Sequence, residues 1–125
     1  MASRLLDVTL KLSSTHPING LLTLDETITA ALTYDDTEVT TNTITVATGS
    51  ASQIYADAGT DGTVYAYLKN TDTTNFIVIK NDAGNPIGRV NAGEFAFLPV
   101  NTNEGLEVQA DTSACVVEFI TLKKA

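Results

Sequence analysis

Apolar and polar residues alternate along much of this chain, which is the pattern of β-strands with one buried face. In the first segment, Leu6, Val8, Leu10 and Leu12 alternate with polar residues, so the four apolar side chains share one face. No helical stripe persists for three turns. The pattern therefore predicts little helix, and a single turn over residues 50–58 is the best candidate.

The second half of the chain reads as short strands, each closed by turn residues. Together with the first half it gives eight to ten strands after some of the candidate segments merge. Short antiparallel strands with turn chemistry between them predict an all-β fold, either an antiparallel β-sandwich or a jelly-roll-like barrel. The candidate segments are residues 4–12, 20–24, 27–34, 43–48, 52–56, 63–69, 75–80, 86–90, 94–100, 105–110 and 114–122.

A turn-rich stretch at residues 13–20 separates the first alternating segment from the rest. We therefore expect an N-terminal arm or strand in residues 1–18 and a β-sandwich domain in residues 19–125. A strand added to a partner satisfies backbone groups and buries its apolar side chains. The residues predicted to interact with a partner are Leu6, Val8, Leu10 and Leu12.

The length of 125 residues predicts one domain with one core. The net charge of −8, without clustered Lys or Arg, argues against nucleic-acid binding. The first residues do not resemble a signal peptide, and no apolar run approaches the ~20 residues that cross a bilayer. We expect a protein made in a cytoplasm, with no nucleic-acid or membrane partner.

The side chains that could perform chemistry are few. Cys115 is the only cysteine and lies in an apolar run, so it is expected to be a buried, inert thiol. His16 is the only histidine and is far from Cys115 in sequence. The carboxylate pairs at residues 25–26 and 35–36 lack a basic partner and are expected to be solvated loop charges. The sequence therefore predicts a protein that is not an enzyme.

Three turns rich in Asp and Asn, at residues 57–62, 70–75 and 81–85, raise the alternative of a calcium site. Calcium needs six to eight oxygen ligands at a characteristic spacing, and none of these turns has that spacing. Asp and Asn also close tight turns with their own side chains, which is the preferred interpretation. We expect no metal or cofactor, and we expect turn or bulge roles for the glycines at positions 59, 62, 84, 88 and 93.

Aromatic residues occur in pairs two positions apart, so each pair lies on one face of its strand. The favoured interpretation places them in the sandwich core. The alternatives are an oligomer interface or a platform for sugars, of which the second is weaker because the chain has no Trp. The residues are Tyr65 with Tyr67, Phe95 with Phe97, and Phe119 in the last strand.

Residues 62–122 resemble small structural proteins of tailed phages, especially those of marine and cyanobacterial hosts. The resemblance lies in the sequences YLKNTDTTNF (67–76), NDAGN (81–85), AGEFAFL (92–98) and ADTSACVVEF (110–119). It implies a β-sandwich that coats or connects virion parts, often as a trimer. It brings no catalytic residue with it.

The sequence and this resemblance together favour a capsid decoration, or cement, protein. Such a protein would be a non-enzymatic homotrimer on the outer capsid surface of the virion, bound to the major capsid protein and stabilising the head. One alternative is a neck, tail or fibre-attachment subunit. Another is a receptor- or carbohydrate-binding module of a virion appendage.

Overall fold

A computed structural model describes residues 2–18 and 22–125, with side chains described for residues 2–14 and 25–125. The described chain forms nine β-strands and no helix, and every strand pair is antiparallel. The predicted all-β, antiparallel fold is confirmed. The strands are β1 (Ser3–Ile18), β2 (Leu22–Val46), β3 (Ser52–Tyr55), β4 (Thr63–Asn70), β5 (Ile77–Lys80), β6 (Pro86–Val90), β7 (Phe95–Asn101), β8 (Leu106–Ala110) and β9 (Cys115–Lys124).

The strands form two sheets, in the orders β1-β2-β9-β4-β7 and β3-β8-β5-β6. From β2 onward the pairing is nested: β2 pairs with β9, β3 with β8, β4 with β7, and β5 with β6. This is one long hairpin with its turn between β5 and β6. It is wrapped so that β4 also joins β9 and β5 also joins β8. Eight strands arranged in this way make a jelly roll, to which β1 is an addition.

The core lies between the two sheets and follows from the period of two along each strand. In β4, the inward positions are Val64, Ala66 and Leu68, and each is fully buried. The facing sheet contributes Leu106 and Val108 of β8. The remaining members of the core cluster are Val46, Ile54, Ile77, Ile79, Val90, Val100, Ala110, Cys115, Val117 and Phe119.

The observed strands differ from the predicted ones in two places. The segments expected at 20–24, 27–34 and 43–48 belong, within the described residues, to the single strand β2, because its partner changes from β1 to β9 along its length. Residues 50–58 do not form a helical turn. They contain β3, which pairs with β8 and places Ile54 in the core.

The turn-rich stretch at residues 13–20 does not end β1, which continues to Ile18 with a register shift between Ser13 and Pro17. Residues 19–20 of that stretch lie outside the described chain. β1 pairs with the first half of β2, so the two strands together form one hairpin. The division into residues 1–18 and 19–125 stays a prediction.

Two of the predicted turn and bulge glycines illustrate why glycine is used. Gly84 has φ of +85° and closes the turn between β5 and β6, donating its N–H to Asn81 O. Gly88 flanks the register shift between β5 and β6, which is a bulge position.

Replacing Leu68 by Ala should lower the free energy of unfolding by about 2–5 kcal/mol, since it leaves a cavity between the sheets. Leu68 is fully buried, whereas Ile87 of β6 is 55% exposed and serves as the matched control. Ile87→Ala should change stability by no more than about 0.5 kcal/mol. Urea unfolding followed by circular dichroism measures both, and equal losses in the two variants would contradict this core.

Candidate interaction surface

The hairpin of β1 and residues 22–35 of β2, called the arm from here on, is amphipathic. Residues directly opposite one another in an antiparallel pair lie on the same face. On one face Leu6 opposes Leu32, Val8 opposes Ala30, and Leu10 opposes Ile28. The other face carries mostly polar pairs, such as Thr9–Thr29 and Lys11–Thr27. The arm therefore has one apolar side.

The arm joins the jelly roll at residues 35–38, called the elbow from here on. Pairing with β1 ends where Ser3 opposes Asp35, and continuous pairing with β9 begins where Val39 opposes Leu122. Asp35 is buried, and its carboxylate accepts hydrogen bonds from the backbone N–H of Thr37 (2.9 Å) and from the Thr37 hydroxyl (2.7 Å). These bonds hold the pKa of Asp35 below its usual value.

The neighbouring Asp36 ties the start of β1 to the elbow. Its carboxylate accepts hydrogen bonds from the Ala2 N–H (3.2 Å) and from Arg4 Nε (3.1 Å). The expectation of solvated loop charge at residues 35–36 is therefore wrong for Asp35, which is buried and binds Thr37 within the elbow. Asp25 and Glu26, the other carboxylate pair, are exposed as expected, although they lie in β2.

The outer side of the five-stranded sheet carries a second apolar surface. Because Val64, Ala66 and Leu68 point into the core, Tyr65 and Tyr67 of the same strand must point outward. Their partners across the ladders point outward with them. This surface, called the aromatic face from here on, consists of Tyr65, Tyr67, Phe95, Phe97, Ile120 and Leu122.

The favoured interpretation of these aromatic residues was therefore wrong for four of them. Only Phe119 lies in the core between the sheets. On the aromatic face, the rings of Tyr65 and Phe97 stack with centroids 6.2 Å apart, and those of Tyr67 and Phe95 lie 6.3 Å apart. Phe95 is 62% exposed, so part of this face is open to solvent.

The arm lies over the aromatic face and covers it unevenly: Tyr65 and Leu122 are buried, whereas Phe95 and Phe97 are exposed. Near its base, Leu6 and Val8 share a cleft of about 420 Å³ with Tyr67, Ile120 and Leu122. Further along, Leu10 and Ile28 line a second cleft of about 390 Å³, together with residues of β4 and β7. Interiors of proteins leave few gaps larger than a water molecule, so this contact is looser than a core.

The four residues predicted to interact with a partner all lie on the apolar side of the arm. Leu6 and Val8 are half-buried, whereas Leu10 and Leu12 are exposed by 42% and 44%. Their role in binding a partner stays a prediction. A surface role for the aromatic residues that they approach was one of the alternatives to the core, because the i, i+2 spacing places each pair on one side.

The acidic turns use their oxygens to bind the backbone. Asp57 accepts from the Gly59 N–H (2.7 Å), and Asn81 accepts from the Asn85 N–H (2.9 Å). Asp72 accepts from the N–H groups of Asn75 (2.6 Å) and Thr74 (2.9 Å), and these bonds lower its pKa. Within residues 2–18 and 22–125, no three His, Cys, Asp or Glu side chains are grouped so that they could hold a metal ion.

Asn70, at the end of β4, is a buried polar residue that the sequence did not single out. Its side-chain amide donates to the carbonyls of Asn75 (2.9 Å) and Val90 (3.2 Å), and its side-chain oxygen accepts from the Asp72 N–H (3.0 Å). It is fully buried, so these bonds replace those it would make with water. Asn70 thus fixes the loop after β4 against the end of β6.

Cys115 is buried in the core at the start of β9, as predicted. Its thiol lies 3.5 Å from Ser113 O and 3.9 Å from Phe76 O. Burial, with a smaller contribution from the charge of Asp72, raises the pKa of the thiol. The side chain of His16 lies outside the described residues.

No protein-family model matches this chain, and no curated protein matches it. The chain is similar to a solved structure published as "Bacillus endospore appendages form a novel family of disulfide-linked pili", with 19% identity and a TM-score of 0.46. That similarity covers 70% of this chain and 88% of the other.

Among the residues that the structure describes, none belongs to a helix able to span a membrane.

Native protein should react slowly with a thiol reagent such as DTNB at pH 8, because Cys115 is buried and its raised pKa leaves little thiolate. Protein unfolded in guanidinium chloride should react at once, which provides the matched control. Equal rates in the two states would mean that β9 opens in the native protein.

Replacing Asp72 by Asn should remove one component of the acid sensitivity of the fold. The pKa of Asp72 is lower in the folded state, so its ionised form stabilises the fold above the unfolded pKa of ~3.9. That stabilisation is lost as the pH falls through the folded pKa. Urea midpoints should therefore show wild type more stable than Asp72→Asn at pH 7, with the difference shrinking towards pH 2. A constant difference would contradict this role.

Proposed function

We propose that this protein is a non-enzymatic structural subunit of a phage virion, most specifically a capsid decoration protein. In this role it binds the major capsid protein on the outer surface of the head, as a homotrimer. The observation that carries the proposal is the pair of apolar surfaces formed by the arm and the aromatic face. The resemblance of residues 62–122 to structural proteins of tailed phages supplies the virion context.

The arm and the aromatic face suit attachment better than catalysis. Leu10, Ile28 and Phe95 are exposed and remain available for burial against another chain, either within the homotrimer or at the capsid. A decoration protein bridges two neighbouring capsid subunits. Its binding energy must be overcome before those subunits can separate. Several such contacts in one oligomer dissociate far more slowly than one contact alone.

Three of the described side chains that could perform chemistry have structural roles, which supports a non-enzymatic protein. Cys115 is enclosed in the core, and the carboxylates of Asp35 and Asp72 are bound to backbone N–H groups. A general acid, base or nucleophile must be able to reach a substrate. These groups face their own chain instead.

The charge of the protein favours the outside of the head. Packaged DNA carries a negative charge about every 1.7 Å of its axis, and a chain with net charge −8 is repelled by it. A protein that organised DNA inside the shell would carry the opposite charge. The outer capsid surface avoids this repulsion.

An antibody raised against the recombinant protein should label intact phage heads, because the proposed position is external. Quantitative mass spectrometry of the same particles should find hundreds of copies per virion. A handful of copies, with labelling at the tail, would instead indicate a neck, tail or fibre subunit. Absence from the particles would rule out a virion role, and binding to a glycan array would then favour the carbohydrate-binding alternative.

A further inference from the structure

We propose that the arm is exchanged between copies of this chain, so that the arm of one copy covers the aromatic face of a second copy. This proposal rests on the proposed structural role, since it names a partner for the same surface. Three observations support it: the arm joins the jelly roll through few contacts, part of its contact with the aromatic face is open to solvent, and that contact already pairs the two apolar surfaces.

The arm is attached to the jelly roll in a way that allows it to move as a unit. Its ladder is internal, because β1 pairs only with residues 22–35 of β2. In the described residues, the backbone contacts that join the arm to β9 and the C-terminus are the pairing of Tyr34 with Lys124 and the bond from Ala125 N to Thr33 O (3.2 Å). A change of backbone angles at the elbow would therefore lift the arm while its own ladder stays intact.

The elbow has the composition of a hinge and not of a buried strand. Its sequence, Asp-Asp-Thr-Glu, is polar, and the register of β2 shifts across it. Hinges are short segments at the ends of elements that absorb such changes of angle. The hydrogen bonds between Asp35 and Thr37 are local to the elbow. Those from Ala2 and Arg4 to Asp36 join the arm to the elbow and not to the face.

The contact that would be lost on lifting the arm is incomplete. It is closed near the elbow, where Tyr65 and Leu122 are buried, and open further along, where Ile28 and Phe95 are 55% and 62% exposed although they line the same cleft. Within one copy, the short elbow restricts how far the arm can shift over the face. An arm arriving from a second copy is free of that constraint and could seat Leu10 and Ile28 directly on the aromatic rings.

The occupant is a second copy because the aromatic face already fits this arm. Every copy carries the same apolar side chains at the same register, so each contact available within one chain is also available between two chains. Exchanging an identical element is a low-cost route to oligomers for this reason. The exchange buries the apolar sides of both surfaces and leaves the polar side of the arm, with Thr9 and Lys11, in solvent.

Cross-linking between two co-expressed variants of the full chain tests this proposal. One variant carries Leu10→Cys and an affinity tag, and the other carries Phe97→Cys without a tag. A short bis-maleimide is added to the purified mixture at micromolar concentration. In the matched control, Lys11→Cys replaces Leu10→Cys, which moves the thiol to the polar side of the same strand at an exposed residue that lines neither cleft. Wild-type protein, whose Cys115 is buried, measures the background.

Arm exchange should give a tagged–untagged dimer of about twice the 13.2 kDa chain mass. Its yield should exceed that of the Lys11→Cys control by about tenfold, because exchange raises the effective concentration of a thiol at position 10, on the apolar side of the arm, near the thiol at position 97. Absence of this dimer would overturn the proposal, and so would equal yields from the two positions. A double variant, Leu10→Cys with Phe97→Cys, that closes only within one chain would also overturn it. Labelling of virions by antibody is independent of this result, so failure here leaves the proposed location to its own test.

Discussion

The structure depends on one constraint: part of the five-stranded sheet is apolar on both sides. β4, β7 and β9 present Leu68, Leu98 and Phe119 to the other sheet and present Tyr67, Phe97 and Ile120 to the outside. An antiparallel sheet usually has one solvated face. Here the second apolar face is the aromatic face, and it is stable in water only if something buries it. The eight paired strands of the jelly roll, β2 to β9, leave it on the outside. The arm is the element that remains to bury it.

The sequence allowed most of the strands to be predicted, because strands follow from local alternation. In β4, the alternation of Val64, Ala66 and Leu68 with Tyr65 and Tyr67 is clear, but it does not say which side meets the other sheet. The favoured interpretation placed the aromatic pairs in the core, whereas the side of β4 that faces the other sheet carries smaller aliphatic residues. Packing between the two sheets decides which side of β4 faces inward. The local sequence pattern carries no information about that packing.

Other features escaped prediction because they arise from contacts distant in sequence. β2 is long because β1 and β9 pair with its two halves in turn, and nothing within residues 22–46 reveals that change of partner. Asn70 looked like any turn residue, and only the fold brings Val90 O within reach of its amide. Acidic turns, by contrast, were assigned correctly as turns, because Asp72 and Asn81 bind backbone groups only a few residues away.

The net charge and the apolar surfaces act on association over different distances. Copies with charge −8 repel one another, but salt screens that repulsion beyond ~8 Å at physiological ionic strength. Burial of apolar surface acts at contact, so copies that meet correctly are held while other encounters are discouraged. In the proposed exchange, the geometry of the elbow decides the product. Reciprocal exchange would close a dimer, and exchange in one direction around a ring would close a trimer if the rotation per copy is a third of a turn. Each copy brings one arm for one aromatic face, so a closed ring would cover the two-sided sheet in every subunit.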